Sequence, residues 1–185
     1  GSAAVWHTTD RERFLHYSRP YLENRLVLLA RRGTPVDADD LSKLAGKKLG
    51  IVAGYAYHES TNLGGSDVPS TSGPEYVEGP SDQENLQRLL RGEIDYMLAE
   101  ELVVHEFFEH HGERADLLLE AGTRPMLRRS LHFAVRRDHP QARSIIDNFN
   151  RAISAMINDG TFNQALGLTW LRVDLDGDGK SELVL

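Results

Sequence analysis

The fold of this chain is decided by residues 86–100, LQRLLRGEIDYMLAE. Three leucines at the i, i+3, i+4 spacing give its first half one apolar stripe, which predicts an amphipathic helix. Ser81 and Glu84 precede this helix at capping-box spacing. Gly92 follows it, and glycine is favoured there because it adopts left-handed backbone angles without strain. The segment therefore predicts one helix with a defined start and a defined end.

The second half of the same stretch predicts a buried strand. Residues 94–98 form a short apolar run, and Glu100 follows at the carboxyl end of that run. In open α/β sheets, ligands bind outside the carboxyl ends of the strands. Glu100 is therefore the first candidate for a binding residue, and the α/β class is favoured.

Composition and charge narrow the functions that the chain can have. Its 185 residues suffice for one ordinary domain or two small lobes, and 40% hydrophobic residues allow a packed core. A net charge of -7 argues against nucleic-acid binding, which relies on basic patches. The lack of cysteine excludes disulfides and thiolate sites. No apolar run reaches the roughly 20 residues of a membrane-spanning helix, no signal peptide is present, and Gly1-Ser2 resembles a cloning remainder.

Periodicity and turn residues predict the remaining elements. Thr8 or Thr9 is expected to cap a short helix that ends at Pro20. A surface loop rich in Gly, Ser, Thr and Pro is expected over residues 60–82. The other expected helices cover residues 39–44, 101–112, 139–159 and 161–171. The expected strands are one ending at residue 6 and others at 26–31, within 47–54, 76–78, 117–119 and 131–135.

Histidines on the helix after Glu100 invite a metal interpretation. A metalloprotease-type zinc site needs histidines at i and i+4, so that both face one ion. The residue four after His105 is Glu109, and His110 is five residues on. The spacing therefore fails, and a solvated helix face is the better interpretation.

Several segments in the right order resemble the type-II periplasmic solute-binding proteins, in the polar amino-acid-binding branch (bacterial extracellular solute-binding protein family 3). The opening matches the family's Thr-x-x-Arg followed by Phe-Ser-x-Pro-Tyr, with Thr8, Arg11 and residues 17–21, YSRPY. The resemblance covers about residues 6–171. The later matching segments are Asp40-Leu41, Gly46-Lys47, Leu49-Gly50-Ile51, Gly92, Asp95, Glu100, Asn150, Ala152-Ile153, Asp159-Gly160-Thr161-Phe162 and Trp170-Leu171.

This resemblance implies an α/β fold of two lobes joined by two crossing strands, with lobe 1 incomplete. Family members begin with strand–helix–strand–helix ahead of the Thr-x-x-Arg segment, and this chain lacks that part. A truncated start, completion by a second chain, or a degenerate scaffold that no longer binds would each explain the difference. An exposed apolar surface near Val5 and Leu26–Leu29 is expected, and with it a homodimer. The implied boundaries are 1–30 and 132–172 for partial lobe 1, 31–131 for lobe 2 and 173–185 for an acidic tail.

The resemblance also implies a binding site for an amino-acid-like zwitterion. Arg11 would hold the α-carboxylate, since a guanidinium gives a carboxylate two charge-assisted hydrogen bonds; the alternative is a solvated helix residue. Glu100, one methylene longer than the family's usual aspartate, would hold the α-ammonium. Tyr55 is a further ligand-binding candidate that could stack on the ligand, and the alternative is that it packs the lobe surface. The remaining ligand-binding candidates are Trp6, Thr8 and Gly54, the last because the backbone N–H groups after it would open a helix.

The resemblance implies solute binding for ABC-type uptake, with a membrane permease as partner, in the periplasm or outside the cell. The alternative is a sensor or accessory module of a larger signalling or cell-wall protein, which need not have kept its ligand. Catalysis is not expected, because the core segments show no paired carboxylates and no nucleophile–base spacing. No cofactor is required.

The tail resembles the short calcium loops of extracellular modules. Acidic residues stand at positions 1, 3, 5 and 9 of a calcium loop, with glycine at position 6. Leu185 replaces the bidentate glutamate of position 12, so an EF-hand is not expected. Calcium is a candidate cofactor, and the alternative is an acidic, solvated turn. The candidate metal ligands are Asp174, Asp176, Asp178 and Glu182.

Overall fold

The computed structural model describes residues 2–36, 38, 40–54, 73–174 and 180–184. The chain divides into two compact units: unit 1 holds residues 1–24 and 129–185, and unit 2 holds residues 25–128. Strands β3 (Leu22–Arg31) and β7 (Leu119–Arg136) each run through both units. None of the helices in the described ranges is long and apolar enough to cross a bilayer.

The opening of unit 1 is organised on the end of β7. Strands β1 (Ser2–Trp6) and β2 (Leu15–Tyr17) both pair with β7 in antiparallel fashion, as Val5 opposite His132 shows for β1. The helix between them, α1 (Thr9–Glu12), begins at the Thr8 cap. It does not continue to Pro20 as expected, because the residues after it form β2 and take up the edge of β7.

The rest of unit 1 is helical. Helix α4 (Ala142–Asn158) buries a stripe of isoleucines, the pattern that predicted it. Helix α5 (Thr161–Leu166) ends at Gly167, whose φ of 68° is left-handed, and not at residue 171 as expected. Leu171 is fully buried at the start of β8 (Leu171–Val173), which pairs with β9 (Glu182–Val184). The sequence prediction failed there because Trp170-Leu171 continues the apolar pattern of a helix into a strand.

Unit 2 contains three parallel strands in the order β5–β4–β6. These strands are β4 (Lys48–Val52), β5 (Glu75–Gly79) and β6 (Tyr96–Glu100). Strand β3 then pairs with β6 in antiparallel fashion, with Leu28 opposite Leu98. The strands predicted at 26–31, within 47–54 and at 76–78 are therefore present, each one to four residues longer or shorter than expected.

The expected apolar surface at Leu26–Leu29 is wrong. These four side chains are at most 3% exposed. Strand β3 is an interior strand with neighbours on both sides, so its continuous apolar run is covered instead of free. Val5 is half-buried. The expected homodimer depended on that exposed surface, so the buried strand gives no reason to expect it.

Helix α2 (Asp82–Arg91) forms as its sequence signals predict. The Ser81 hydroxyl accepts a hydrogen bond from the Glu84 N–H at 3.2 Å, and Gly92 ends the helix with a φ of 77°. Helix α3 (Glu101–Leu118) is interrupted at Gly112, whose φ is 47° and ψ is -136°. It resumes and runs to Leu118, so only the last residue of the strand expected at 117–119 is in a strand. A short 3-10 helix, Leu41–Leu44, replaces the helix expected over 39–44.

Candidate functional site

In unit 1, Trp6 and Thr8 are both buried, and each already has a contact inside the protein. The Arg129 guanidinium lies 5.9 Å from the centre of the Trp6 ring, which is 7% exposed. The Thr8 hydroxyl accepts a hydrogen bond from the Arg11 N–H at 3.2 Å and so caps α1. Both residues shape the segment around Arg11, and Trp6 has little surface left for a ligand.

Arg11, on helix α1, is a candidate to bind a ligand through its guanidinium. Its side chain is partly exposed, and among the residues that the structure describes its guanidinium makes no hydrogen bond or ion pair. By contrast, Arg13, two residues on, lies 3.6 Å from the Asp10 carboxylate. A guanidinium without an internal partner can give both of its parallel N–H groups to one carboxylate.

Unit 1 also holds an aromatic cluster beside this segment that the sequence did not indicate. The His7 ring lies 4.8 Å from the Tyr17 ring and 5.8 Å from the His132 ring, centre to centre. His7 Nε2 lies 2.6 Å from a Glu12 carboxylate oxygen. His7 directly follows β1, Glu12 lies in α1, and Tyr17 and His132 lie in β2 and β7. Strand pairing therefore brings the three rings together, and no sequence spacing would have found them.

His132 in this cluster is held as a neutral base. Its Nδ1 lies 2.8 Å from the Ser18 carbonyl oxygen, which only accepts, so the Nδ1 carries the proton. Burial lowers the pKa of His132, the hydrogen bond to Ser18 opposes that shift, and the charge of His7 adds to it. His132 therefore supports the segment and carries no charge at neutral pH.

In unit 2, the candidates lie at the carboxyl ends of the parallel strands. Gly54 follows β4 in a turn, with a φ of 80° that favours glycine. Glu100 ends β6 and precedes α3. Tyr55, and with it the helix start expected after Gly54, lies outside the described residues. The carboxyl edge of β4 and β6 thus brings Gly54 and Glu100 to one side of the sheet, as the general rule for α/β sheets predicts.

Glu100 keeps its carboxylate available. It is half-buried and stands at the cap position of α3, and its side chain makes no capping hydrogen bond. The next residue differs, because Glu101 lies 3.5 Å from the Arg25 guanidinium with both side chains largely buried. Of the two adjacent glutamates, Glu100 is therefore the one whose carboxylate has no ion pair within the described residues.

Asp82 is a further acidic residue at this edge, and the sequence analysis missed it. It is the first residue of α2 and lies three residues after the end of β5, whereas Glu100 is the last residue of β6. Burial raises the pKa of the Asp82 carboxyl, and the charge of Glu100 raises it further, so the two carboxylates act on each other. The rule that selected Glu100 would have selected Asp82 too, had the strand at 75–79 been weighed equally.

The calcium prediction is only partly covered by the structure. Asp174 follows β8 and Glu182 begins β9, with Val173 and Glu182 paired across the hairpin. Asp176 and Asp178 lie outside the described residues. Within the described part of the chain no three His, Asp or Glu side chains are grouped to hold a metal ion, and calcium at the tail stays a prediction.

The chain is similar to known binding proteins in sequence and in fold. It is 25% identical over 158 residues to ABC transporter arginine-binding protein 1 of Escherichia coli (strain K12). The aligned region covers 85% of this chain and 60% of that protein. An ancestral arginine-binding protein bound to arginine has a TM-score of 0.66 at 20% identity, over 86% of this chain and 66% of its own. The periplasmic VFT2 domain of Bordetella pertussis BvgS has a TM-score of 0.60 at 18% identity, and the match covers 89% of this chain and 64% of the BvgS chain. No protein-family model matches the chain.

These similarities agree with the motifs quoted from the sequence. They run through nearly the whole of this chain, whereas the chain spans only about 60% of the curated relative and about two thirds of the solved proteins. A two-lobe fold with an incomplete lobe accounts for that difference in coverage. The fold of this chain is that of the type-II periplasmic amino-acid-binding proteins.

Proposed function

We propose that this chain binds an amino-acid-like zwitterion outside the cytoplasm, as a solute-binding component for ABC-type uptake. The observation that carries the proposal is the Arg11 guanidinium, which has no internal partner among the described residues and lies on a segment that matches the amino-acid-binding branch. The sequence similarity to an ABC transporter arginine-binding protein supports it.

In this proposal, Arg11 and Glu100 divide the ligand between them. Arg11 takes the α-carboxylate through two parallel N–H groups, and Glu100 takes the α-ammonium. Each of these side chains lacks an internal partner for its charge in the described part of its own unit. A zwitterion supplies the opposite charge to both, which offsets the cost of taking its charged groups out of water.

A panel of the common amino acids, with arginine included because two relatives are named for it, tests the proposal by thermal unfolding. A true ligand at a hundred-fold excess over its dissociation constant stabilises the folded state by about 2.7 kcal/mol. Arg11→Ala should abolish that stabilisation, because the carboxylate loses its partner. Arg13→Ala is the matched control, since Arg13 is exposed and paired with Asp10, and should leave the stabilisation unchanged.

The second candidate is a ligand-binding module of a larger protein. It is favoured by fold similarity to the BvgS periplasmic domain and to the GluR0 ligand-binding core of Nostoc punctiforme, solved with L-glutamate (TM-score 0.62, 20% identity). Reconstitution with a cognate ABC permease separates the two candidates, because an uptake component raises ATP hydrolysis when liganded. Amino-acid binding without that rise favours the module. No stabilisation by any amino acid contradicts both.

A further inference from the structure

Unit 2 contains a cavity of about 570 Å³ between α2 and α3, above the sheet. Its walls are apolar: Leu86 from α2, Val104 and Phe107 from α3, and Met97 and Ala99 from β6. The volume falls within the roughly 300–1,000 Å³ of typical small-molecule sites, which are also lined mainly by apolar side chains. This cavity lies within unit 2 and does not include Arg11.

The rim of the cavity is apolar as well. Leu90, Val103 and Leu118 stand around it with 42%, 40% and 48% of their surfaces exposed. Large apolar side chains gathered at the mouth of an apolar cavity are typical of a binding surface, whereas single exposed ones need no explanation. An apolar occupant would remove these leucine and valine surfaces from water.

The polar groups of the wall set the charge of that occupant. Asp82 lines the cavity, and neither lysine nor arginine does among the described residues. The cap of α2 is made by the Ser81 hydroxyl, so the Asp82 carboxylate is not needed for it. The negative charge of Glu100 acts on Asp82 and disfavours its ionised form. A cation placed beside Asp82 would relieve this repulsion, and an anion would increase it.

His111 also lines the cavity, and its ring is held by neighbouring groups. His111 stacks on Phe107 at 4.2 Å, and its Nδ1 lies 3.0 Å from the Phe107 carbonyl oxygen. The ring is therefore held against the wall as part of the apolar lining. The other polar lining groups are the neutral side chains of Gln83 and Gln87.

We propose that the cavity between α2 and α3 binds an amphiphilic cation, a primary ammonium attached to an apolar chain or ring. The ammonium pairs with Asp82, and the apolar body lies between Leu86, Val104 and Phe107. This cavity does not include Arg11, but the charge of Glu100 acts on Asp82, so a ligand held at Glu100 would also affect the cation at Asp82.

Isothermal titration with octylamine, octanol and octanoate, all below their aggregation concentrations, tests the charge preference on the full chain. We expect octylamine to bind at least about tenfold more tightly than octanol, and octanoate to bind weakest, because the probes differ only in their head group. Asp82→Asn should reduce octylamine affinity to that of octanol and leave octanol unchanged. Equal binding of all three probes, or an octylamine affinity that survives Asp82→Asn, overturns the proposal.

Blocking the cavity tests its location. Ala99→Leu fills it from the sheet, and Val103→Trp narrows it from the rim, where a larger side chain does not disturb the core. We expect both to weaken octylamine and octanol together, with far-ultraviolet circular dichroism confirming the fold. Phe14→Gln removes a comparably exposed apolar side chain from unit 1 and should change nothing. Octylamine binding that persists in both folded cavity variants contradicts the location.

Two further measurements distinguish an amphiphilic cation from a second copy of the chain, and the cavity site from the amino-acid site. If a second copy of the chain packs on the rim, sedimentation will show self-association that Leu90→Gln abolishes, and octylamine will not bind. That result overturns the proposal. Arg11→Ala should leave octylamine binding intact, because Arg11 is outside the cavity. A failure of the amino-acid site thus shows in the Arg11 experiments alone, and a failure of the cavity site in the Asp82 and Ala99 experiments.

Discussion

Three buried polar side chains in this protein hold backbone groups in place. The Thr8 hydroxyl accepts from a helix N–H, Asn85 Nδ2 donates to the Ile51 carbonyl at 2.9 Å, and His132 Nδ1 donates to the Ser18 carbonyl at 2.8 Å. Each pairs a buried polar group that would otherwise carry a desolvation cost. In the described part of the chain, the Arg11 guanidinium and the Glu100 carboxylate make no hydrogen bond of this kind, which leaves both charges for a ligand.

Asn85 and Gly79 form a close contact whose energy can be measured. A Cβ on residue 79 would lie 2.1 Å from Asn85 Oδ1, and Asn85 is fixed by its bond to Ile51. We expect Gly79→Ala to lower the free energy of unfolding by about 2 kcal/mol in the natural chain and by much less in an Asn85→Ala background. Urea unfolding of the natural chain, the two single variants and the double variant measures the interaction energy between the two residues. Gly73→Ala, at a glycine with open space around it, is the control, and additive effects would contradict the contact.

His132 makes the stability of the chain depend on pH. In the folded chain the pKa of His132 lies below its ordinary value of 6.5, chiefly because of burial. Between that lowered pKa and 6.5, the unfolded chain binds a proton that the folded chain does not. The stabilisation is therefore fully present above about pH 6.5 and is lost as the pH falls toward the lowered pKa.

The measurement is urea unfolding from pH 5 to pH 8, with His132→Asn as the comparison. Asparagine keeps an N–H donor for the Ser18 carbonyl but does not titrate. We expect the free energy of unfolding of the natural chain to fall more steeply on acidification than that of the variant. Parallel curves would show that His132 does not cause the loss, because the two proteins differ at that residue alone.

At the scale of elements, α2 and α3 differ in how their ends are set. Helix α2 begins at a capping serine and ends at a left-handed glycine, so both ends are set by neighbouring residues. Helix α3 begins without a side-chain cap and passes through the non-helical Gly112. It ends where Leu119 enters β7, a boundary that the strand partner imposes.

Two leucines at this boundary, Leu117 and Leu119, should differ in their contributions to stability. Leu119 is 1% exposed in the core of unit 2, whereas Leu117 is 75% exposed. We expect Leu119→Ala to cost about 2–5 kcal/mol of unfolding free energy, through lost burial and the cavity left behind. Leu117→Ala should stay within about 0.5 kcal/mol. Equal losses for both would restore the buried strand that the sequence alone predicts over residues 117–119.

For the whole molecule, the informative fact is that two strands, β3 and β7, belong to both units. The fold similarity covers 86–90% of this chain and only 64–69% of the longer proteins. The matching parts therefore include both units and the strands that pass between them. Under the proposed function, the contributions of Arg11 and Glu100 to the affinity of one ligand would depend on each other.

That coupling is measurable with substitutions that weaken binding without abolishing it. Arg11→Lys keeps the charge and loses the paired N–H groups, and Glu100→Gln removes the negative charge. If one zwitterion contacts both residues, we expect the double variant to bind it with an affinity that differs from the sum of the two single effects by about 0.5 kcal/mol or more. Calorimetric titration of the four proteins measures the difference. Strictly additive losses would argue for separate sites.

The sequence predicted those features that depend on neighbours along the chain. The caps of α2, the glycine at its end, the apolar run of β6 and the ordered motifs of the binding-protein family all follow from local spacing, and the fold class follows from their order. The position of Glu100 at a strand end follows from the same reasoning, because a strand and the residue after it are adjacent in sequence.

The features that the sequence did not predict depend on residues far apart in the chain. The end of α1, the burial of Leu26–Leu29 and the His7–Tyr17–His132 cluster were set by strand pairing, and Asp82 came near Glu100 only through the order β5–β4–β6. The sequence by itself determined the local elements and the family of the fold, since their signals lie within a few residues. Only the tertiary structure decided which side chains are buried, paired or left with an unused charge, because those properties belong to neighbours in space.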